Sequence, residues 1–165
     1  MNGALLTLSC LWRRRAHPYS LDLENNATQG TMAECGEIQE LSPITDGRGN
    51  LLFLEEERHV PFEIKRTYYI YDVPASVERG KHAHFELEQM MFVVGGSIEV
   101  ELFDGTNRST YLLDSPKKAL LIPKMTWRVM RNFTEGAVCV VLASMPYQEE
   151  DYIRDYDDFL SIVQE

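Results

Sequence analysis

Apolar positions come in short runs along this chain, and several of those runs alternate with polar residues at the period of two expected of a half-buried strand. Ile98, Val100 and Leu102 interleave with Glu99 and Glu101, the pattern of a strand with one core face and one wet face. Asp104-Gly105 follows directly and predicts a hairpin back to Tyr111 and Leu112. The same reading predicts eight strands in all: 51–56, 67–73, 90–94, 97–103, 109–113, 119–122, 126–132 and 137–143. Pro116 and Pro123 punctuate the later ones at their ends. Helical spacing occurs only in the tail, 151–163, through Tyr152, Tyr156, Phe159, Leu160 and Val163. The expectation is an all-β jelly roll closed by a short C-terminal helix.

The first 31 residues do not share this pattern. A short apolar run, Ala4 to Trp12, precedes Arg13–Arg15 instead of following them, which is the wrong order for a secretory signal. Residues 17–31 are polar and aperiodic, so residues 1–31 are expected to be a disordered extension or an over-long start, with a single domain over residues 32–165. No span reaches transmembrane length, so no membrane partner is expected. Composition narrows the function. A length of 165 residues with 44 % apolar content supports one real core. A formal charge of −10 with a pI near 4.9 offers no basic stripe for a nucleic acid. Three cysteines, Cys10, Cys35 and Cys139, form no paired spacing, which fits reduced thiols in a cytoplasm.

Candidate chemistry concentrates in RGKHAHFELEQMMFVVGG, residues 79–96. His82, His84, Glu86 and Glu88 occupy successive even positions, so an extended strand through all four aims two imidazoles and two carboxylates at one face. The spacing His82-x-His84-x3-Glu88-x6-Gly95 resembles the first motif of the cupin superfamily, where such residues ligate a metal. In PKMTWRVMRN, residues 123–132, Pro123 and Asn132 stand in register with the second cupin motif, but Arg128 takes the place of its histidine ligand. A guanidinium does not deprotonate to bind a metal, and its charge opposes a divalent cation. The expectation is therefore no metal and no cofactor. Two imidazoles titrating near pH ~6.5 beside an arginine suit proton transfer on an anionic substrate.

Four ordered blocks extend the likeness: IKRTYYIYDVP (64–74), RGKHAHFELEQ (79–89), LLIPKMTWR (120–128) and DYIRDYDDFL (151–160). Together they resemble the sugar 3,4-ketoisomerase family, cupins that act on nucleotide-linked 4-keto-6-deoxyhexoses in deoxysugar and cell-surface polysaccharide biosynthesis. The resemblance implies His82 and His84 as the catalytic pair, with His84 preferred as the base at C3 and His82 as its proton shuttle. It implies substrate contacts from Arg48, Tyr69, Tyr71, Arg79 and Arg128, and a homodimer with exchanged N-terminal strands near Leu51–Glu56. Two positions depart from the family pattern: Phe85 stands where a basic residue is common, and Asn50 follows neither pattern associated with product stereochemistry. Two alternatives stay open on the sequence. One is a metal-dependent cupin using His82, His84 and Glu88; the other is a sugar-binding cupin without turnover.

Overall fold

A computed structural model of the chain describes residues 35–164. The expected extension 1–31 and its boundary with the domain lie outside the described residues. Twelve strands and one α-helix are found among the described residues. Five strands form one antiparallel sheet in the order β1 (Glu37–Glu40), β9 (Lys118–Ile122), β6 (Gln89–Gly95), β11 (Val138–Ala143), β4 (Arg66–Tyr71). Five more form the second, in the order β12 (Tyr152–Ile153), β5 (Arg79–His84), β10 (Trp127–Arg131), β7 (Ile98–Phe103), β8 (Arg108–Leu113). A small ribbon, β2 (Ile44–Asp46) with β3 (Gly49–Leu51), stands apart from both. The two sheets make the expected β-sandwich.

The alternation read in β7 is realised. Ile98, Val100 and Leu102 are fully buried, while the outward Glu99 and Glu101 both accept from Arg131 on the neighbouring strand. The hairpin after it is held by the Asp104 carboxylate, which accepts the backbone N–H groups of Thr106 and Asn107, with Gly105 at φ +99°. Inward residues of both sheets, among them Met91, Val93, Val100, Leu102, Met130 and Val141, form the central core. β6 is apolar on both sides because its outer face is covered too. Met90 and Phe92 lie under Leu52, Leu54, Val60 and Phe62, contributed by the segment that precedes β4.

That segment corrects one expected strand. Of residues 51–56 only Leu51 is in a strand; Leu52 and Leu54 alternate because they cover the sheet, and Glu56 meets only an isolated bridge to Val60. The expected helix 151–163 is shorter, as α1 (Tyr156–Val163). Tyr152 and Ile153 pair with His84 and Ala83 as β12 instead, and Asp155 caps the helix by accepting from the N–H groups of Asp157 and Asp158. The helix places Phe159, fully buried, against Ala83, Trp127 and Ile153 on the outer side of the second sheet. Truncating such an aromatic costs about 3–5 kcal/mol, so the helix locks β12 and β5 in place.

Candidate active site

The central stretch builds one strand and then leaves it. β5 carries a bulge: Arg128 pairs with His82 and Val129 with Gly80, so Lys81 is the extra residue. Gly80 and Lys81 both take positive φ, +85° and +56°. A Cβ at Gly80 would stand 2.8 Å from the Arg128 carbonyl oxygen, which is why glycine is required there. Beyond the bulge, His82 and His84 face inward and Ala83 outward to the helix. The strand stops at His84, and the chain bends at Phe85–Glu86. Four residues on one face therefore reduce to two. Glu86 is exposed and paired with Lys124, and Glu88 joins no metal-ligating group with the histidines; among the described residues no such group of three exists.

Cross-strand pairing assembles the rest. Arg128 lies opposite His82, and Tyr152 opposite His84. The imidazole rings meet edge to face at 4.9 Å, and the Tyr152 ring lies 4.9 Å from His82 and 4.2 Å from His84. A cleft of about 710 Å³ opens beside them, lined by Arg66, Tyr68, Tyr69, Ile70, Glu78, Arg79, Gly80, His82, Met130, Tyr147, Tyr152 and Arg154. His82 is on its wall; His84 and Arg128 are fully buried.

Each inner group has a defined state. His82 Nδ1 lies 3.0 Å from the Gly80 carbonyl oxygen. A carbonyl only accepts, so the His82 proton is on Nδ1 and Nε2 keeps its lone pair. His84 Nδ1 lies 2.9 Å from Asp151 Oδ2, and its Nε2 has no partner. Burial, reinforced by the Arg128 charge, pushes the His82 imidazole down to about 4 and holds His84 lower still. Both rings are neutral at physiological pH. Burial also lowers Arg128, to about 10, which leaves it cationic. Its Nη2 donates to the Thr126 carbonyl at 2.8 Å, whereas Nε and Nη1 are buried without partners. A buried cation with two spare donors is built to receive negative charge. Tyr68, pushed up to about 12 by burial, stays a phenol and accepts from Gln89 Nε2 at 2.8 Å.

The candidates from the sequence distribute unevenly. His82, Arg79 and Tyr69 line the cleft, with Tyr69 65 % exposed at its mouth, and His84 and Arg128 back it. Tyr71 is 60 % exposed and lies outside the cleft, at the end of β4 beyond Tyr69 and Ile70. Arg48 sits on the β2–β3 ribbon, paired with Asp46 at 2.6 Å and away from the cleft of its own chain. Arg66, Tyr68, Tyr147, Asp151, Tyr152 and Arg154 escaped the sequence reading as site residues. Parity with Ile70 was the available signal for Arg66 and Tyr68; Asp151 and Tyr152 were hidden by the helical spacing of the tail.

Two antiparallel sheets closed over an inward histidine pair, with arginine in the remaining ligand position, define a cupin-type sandwich equipped for proton transfer. A family model described as WxcM-like, C-terminal, with the short name FdtA, matches residues 34–164. The chain belongs to this family. It is 45 % identical over 116 residues to the TDP-4-oxo-6-deoxy-alpha-D-glucose-3,4-oxoisomerase of Aneurinibacillus thermoaerophilus, across 70 % of this chain and 84 % of that one. The crystal structure of a 3,4-ketoisomerase from Helicobacter canadensis superposes with a TM-score of 0.77 at 48 % identity, covering 79 % of this chain and 98 % of that one. A sugar 3,4-ketoisomerase from Thermoanaerobacterium thermosaccharolyticum, solved in complex with TDP, gives 0.77 at 36 % identity, with 81 % and 97 % covered. A variant of that protein was solved with TDP-4-keto-6-deoxyglucose.

Proposed function

We propose that this chain is a sugar-nucleotide 3,4-ketoisomerase that converts TDP-4-keto-6-deoxyglucose to its 3-keto isomer in deoxysugar biosynthesis. The observation that carries the reading is the pair of neutral imidazoles, both with free Nε2 lone pairs, beside a buried guanidinium with unpartnered donors. The C4 carbonyl acidifies the C3 hydrogen. His82, on the cleft wall, takes that proton at Nε2; this reverses the preference drawn from the sequence, because His84 lies deeper. The C3–C4 enediolate places negative charge on O4, where the spare donors of Arg128 offset it. The His84 Nε2 lone pair suits transfer of the O3 proton to O4, and His82 returns its proton to C4. C3 and C4 exchange oxidation level within one molecule, so no redox cofactor enters.

The donor set does not fit a metal. Among the described residues no third ligand joins the two histidines, and the Arg128 charge opposes a divalent ion, so no step is routed through one. Arg66, Arg79 and Arg154 line the cleft and suit the diphosphate. The chain acts as a homodimer with exchanged N-terminal segments, in which the ribbon bearing Arg48 serves the partner's cleft. Exposed Ile44 and Leu51 on that ribbon support this. No helix among the described residues is long and apolar enough to cross a membrane. Free buried thiols at Cys35 and Cys139 support a cytoplasmic location, which cell fractionation checks.

Incubation with TDP-4-keto-6-deoxyglucose, followed by NMR, tests the activity. His82→Asn and His84→Asn should each lower turnover by at least about 10²-fold with the fold intact by circular dichroism. Near-normal turnover in both variants would remove the assignment.

A further inference from the structure

The proton chemistry proposed for His84 depends on which ring nitrogen bears its hydrogen, and a residue at the far end of the chain decides this. Asp151 closes a 3-10 turn, Glu149–Asp151, and is buried against β5. Its backbone carbonyl accepts from the Phe85 N–H at 3.0 Å, fixing the turn to the chain just after His84. Its carboxylate has two partners. Oδ1 accepts from the Glu86 backbone N–H at 2.8 Å, and Oδ2 lies 2.9 Å from His84 Nδ1.

We infer that Asp151 is a positioning residue that sets the tautomer of His84, holding hydrogen on Nδ1 so that the Nε2 lone pair is available to the sugar. The inference rests on the ketoisomerase reading for its consequence in turnover, but its structural content stands apart from that reading. Glu86 N–H is a donor that cannot change role, so one carboxylate oxygen is committed to it. The other oxygen then faces Nδ1 and, being an acceptor only, requires a proton there. When His84 takes up a proton, the same carboxylate lies against the imidazolium, as in the histidine–carboxylate pair of serine proteases.

The two-partner clamp yields an unusual order of variants. In Asp151→Asn, the amide oxygen must still face the Glu86 N–H, because turning the amide would set donor against donor. The NH₂ group then faces His84 Nδ1 and donates to it, which drives the ring hydrogen to Nε2 and removes the lone pair. In Asp151→Ala nothing dictates the tautomer, and the neutral ring keeps a population with Nε2 free. The conservative change should therefore be the more damaging one. A purely structural role for Asp151 gives the opposite order, since alanine deletes more contacts than asparagine does.

The test combines ¹⁵N NMR of the histidine side chains with kinetics on TDP-4-keto-6-deoxyglucose. The unmodified protein should show His84 as the Nδ1–H tautomer and Asp151→Asn as the Nε2–H tautomer, with the fold retained. The kcat of Asp151→Asn should fall by about 10²- to 10⁴-fold with KM little changed. Asp151→Ala should lose less. Retention of the Nδ1–H tautomer in Asp151→Asn, or a greater loss of kcat in Asp151→Ala, overturns the inference. The tautomers are read without substrate, so failure of the unmodified protein to isomerise this sugar would count against the ketoisomerase reading and leave the tautomer result standing.

Discussion

At the residue scale, burial and then the Arg128 charge keep both histidines neutral. Desolvation of the half-buried His82 and the buried His84, reinforced by the guanidinium beside them, makes a charge on either ring costly, so both stay neutral and hold a lone pair for proton transfer. For His82 the sign is definite. Its folded value, about 4, lies below the ~6.5 of an unfolded imidazole. The unfolded state therefore binds more protons between those values, and stability falls as pH is lowered through that window. Activity follows the folded value: kcat/KM should stay level from pH 7 to 5 and drop with a midpoint near 4. A midpoint near 6.5, in protein still folded by circular dichroism, would show that the imidazole is not held down. The histidine pair and Arg128 were legible in the sequence because their spacing carries them. Asp151 was not, since it lies 67 residues from His84 and meets it only in space. The run Tyr68-Tyr69-Ile70-Tyr71 puts tyrosines on both faces of a strand, so nothing local told Tyr68 from its exposed neighbours.

At the element scale, most strands were legible and their departures have causes. Strict alternation from Arg79 would put it opposite His82; the bulge at Lys81 restores both to the cleft side, and only the pairing with β10 reveals it. The tail reads as helix throughout, yet its first residues complete a sheet, because pairing with β5 and the cap at Asp155 outweigh the local period. The covering segment reads as strand because it buries alternate leucines against a sheet without joining it. The β2–β3 ribbon carries the assembly proposal, since Ile44 and Leu51 are 55 % and 59 % exposed. Sedimentation velocity should give a dimer for the unmodified protein. Ile44→Ser with Leu51→Ser should shift it toward monomer and lower turnover, with circular dichroism unchanged. A monomer of full activity before mutation would contradict exchange.

At the scale of the whole molecule, an acidic protein of net charge −10 gathers Arg66, Arg79 and Arg154 around one cleft, with the buried Arg128 paired across from His82. The inward faces of the sheets form the apolar core, a frame on which the cleft is built. A local cationic cleft in an acidic surface favours a small anion over a polyanion such as nucleic acid. In the proposed reaction the C3 hydrogen leaves as a proton, carried by a histidine and without metal. The most direct measurement uses TDP-4-keto-6-deoxyglucose deuterated at C3, turned over in ordinary water by protein stripped of divalent ions with a chelator. The expected result is a 3-keto product formed at an undiminished rate in the chelator, a primary isotope effect on kcat/KM, and deuterium carried to C4. Absence of that product, absence of an isotope effect in a variant shown to be limited by C–H cleavage, or activity lost to the chelator and restored by a divalent ion would contradict that reaction.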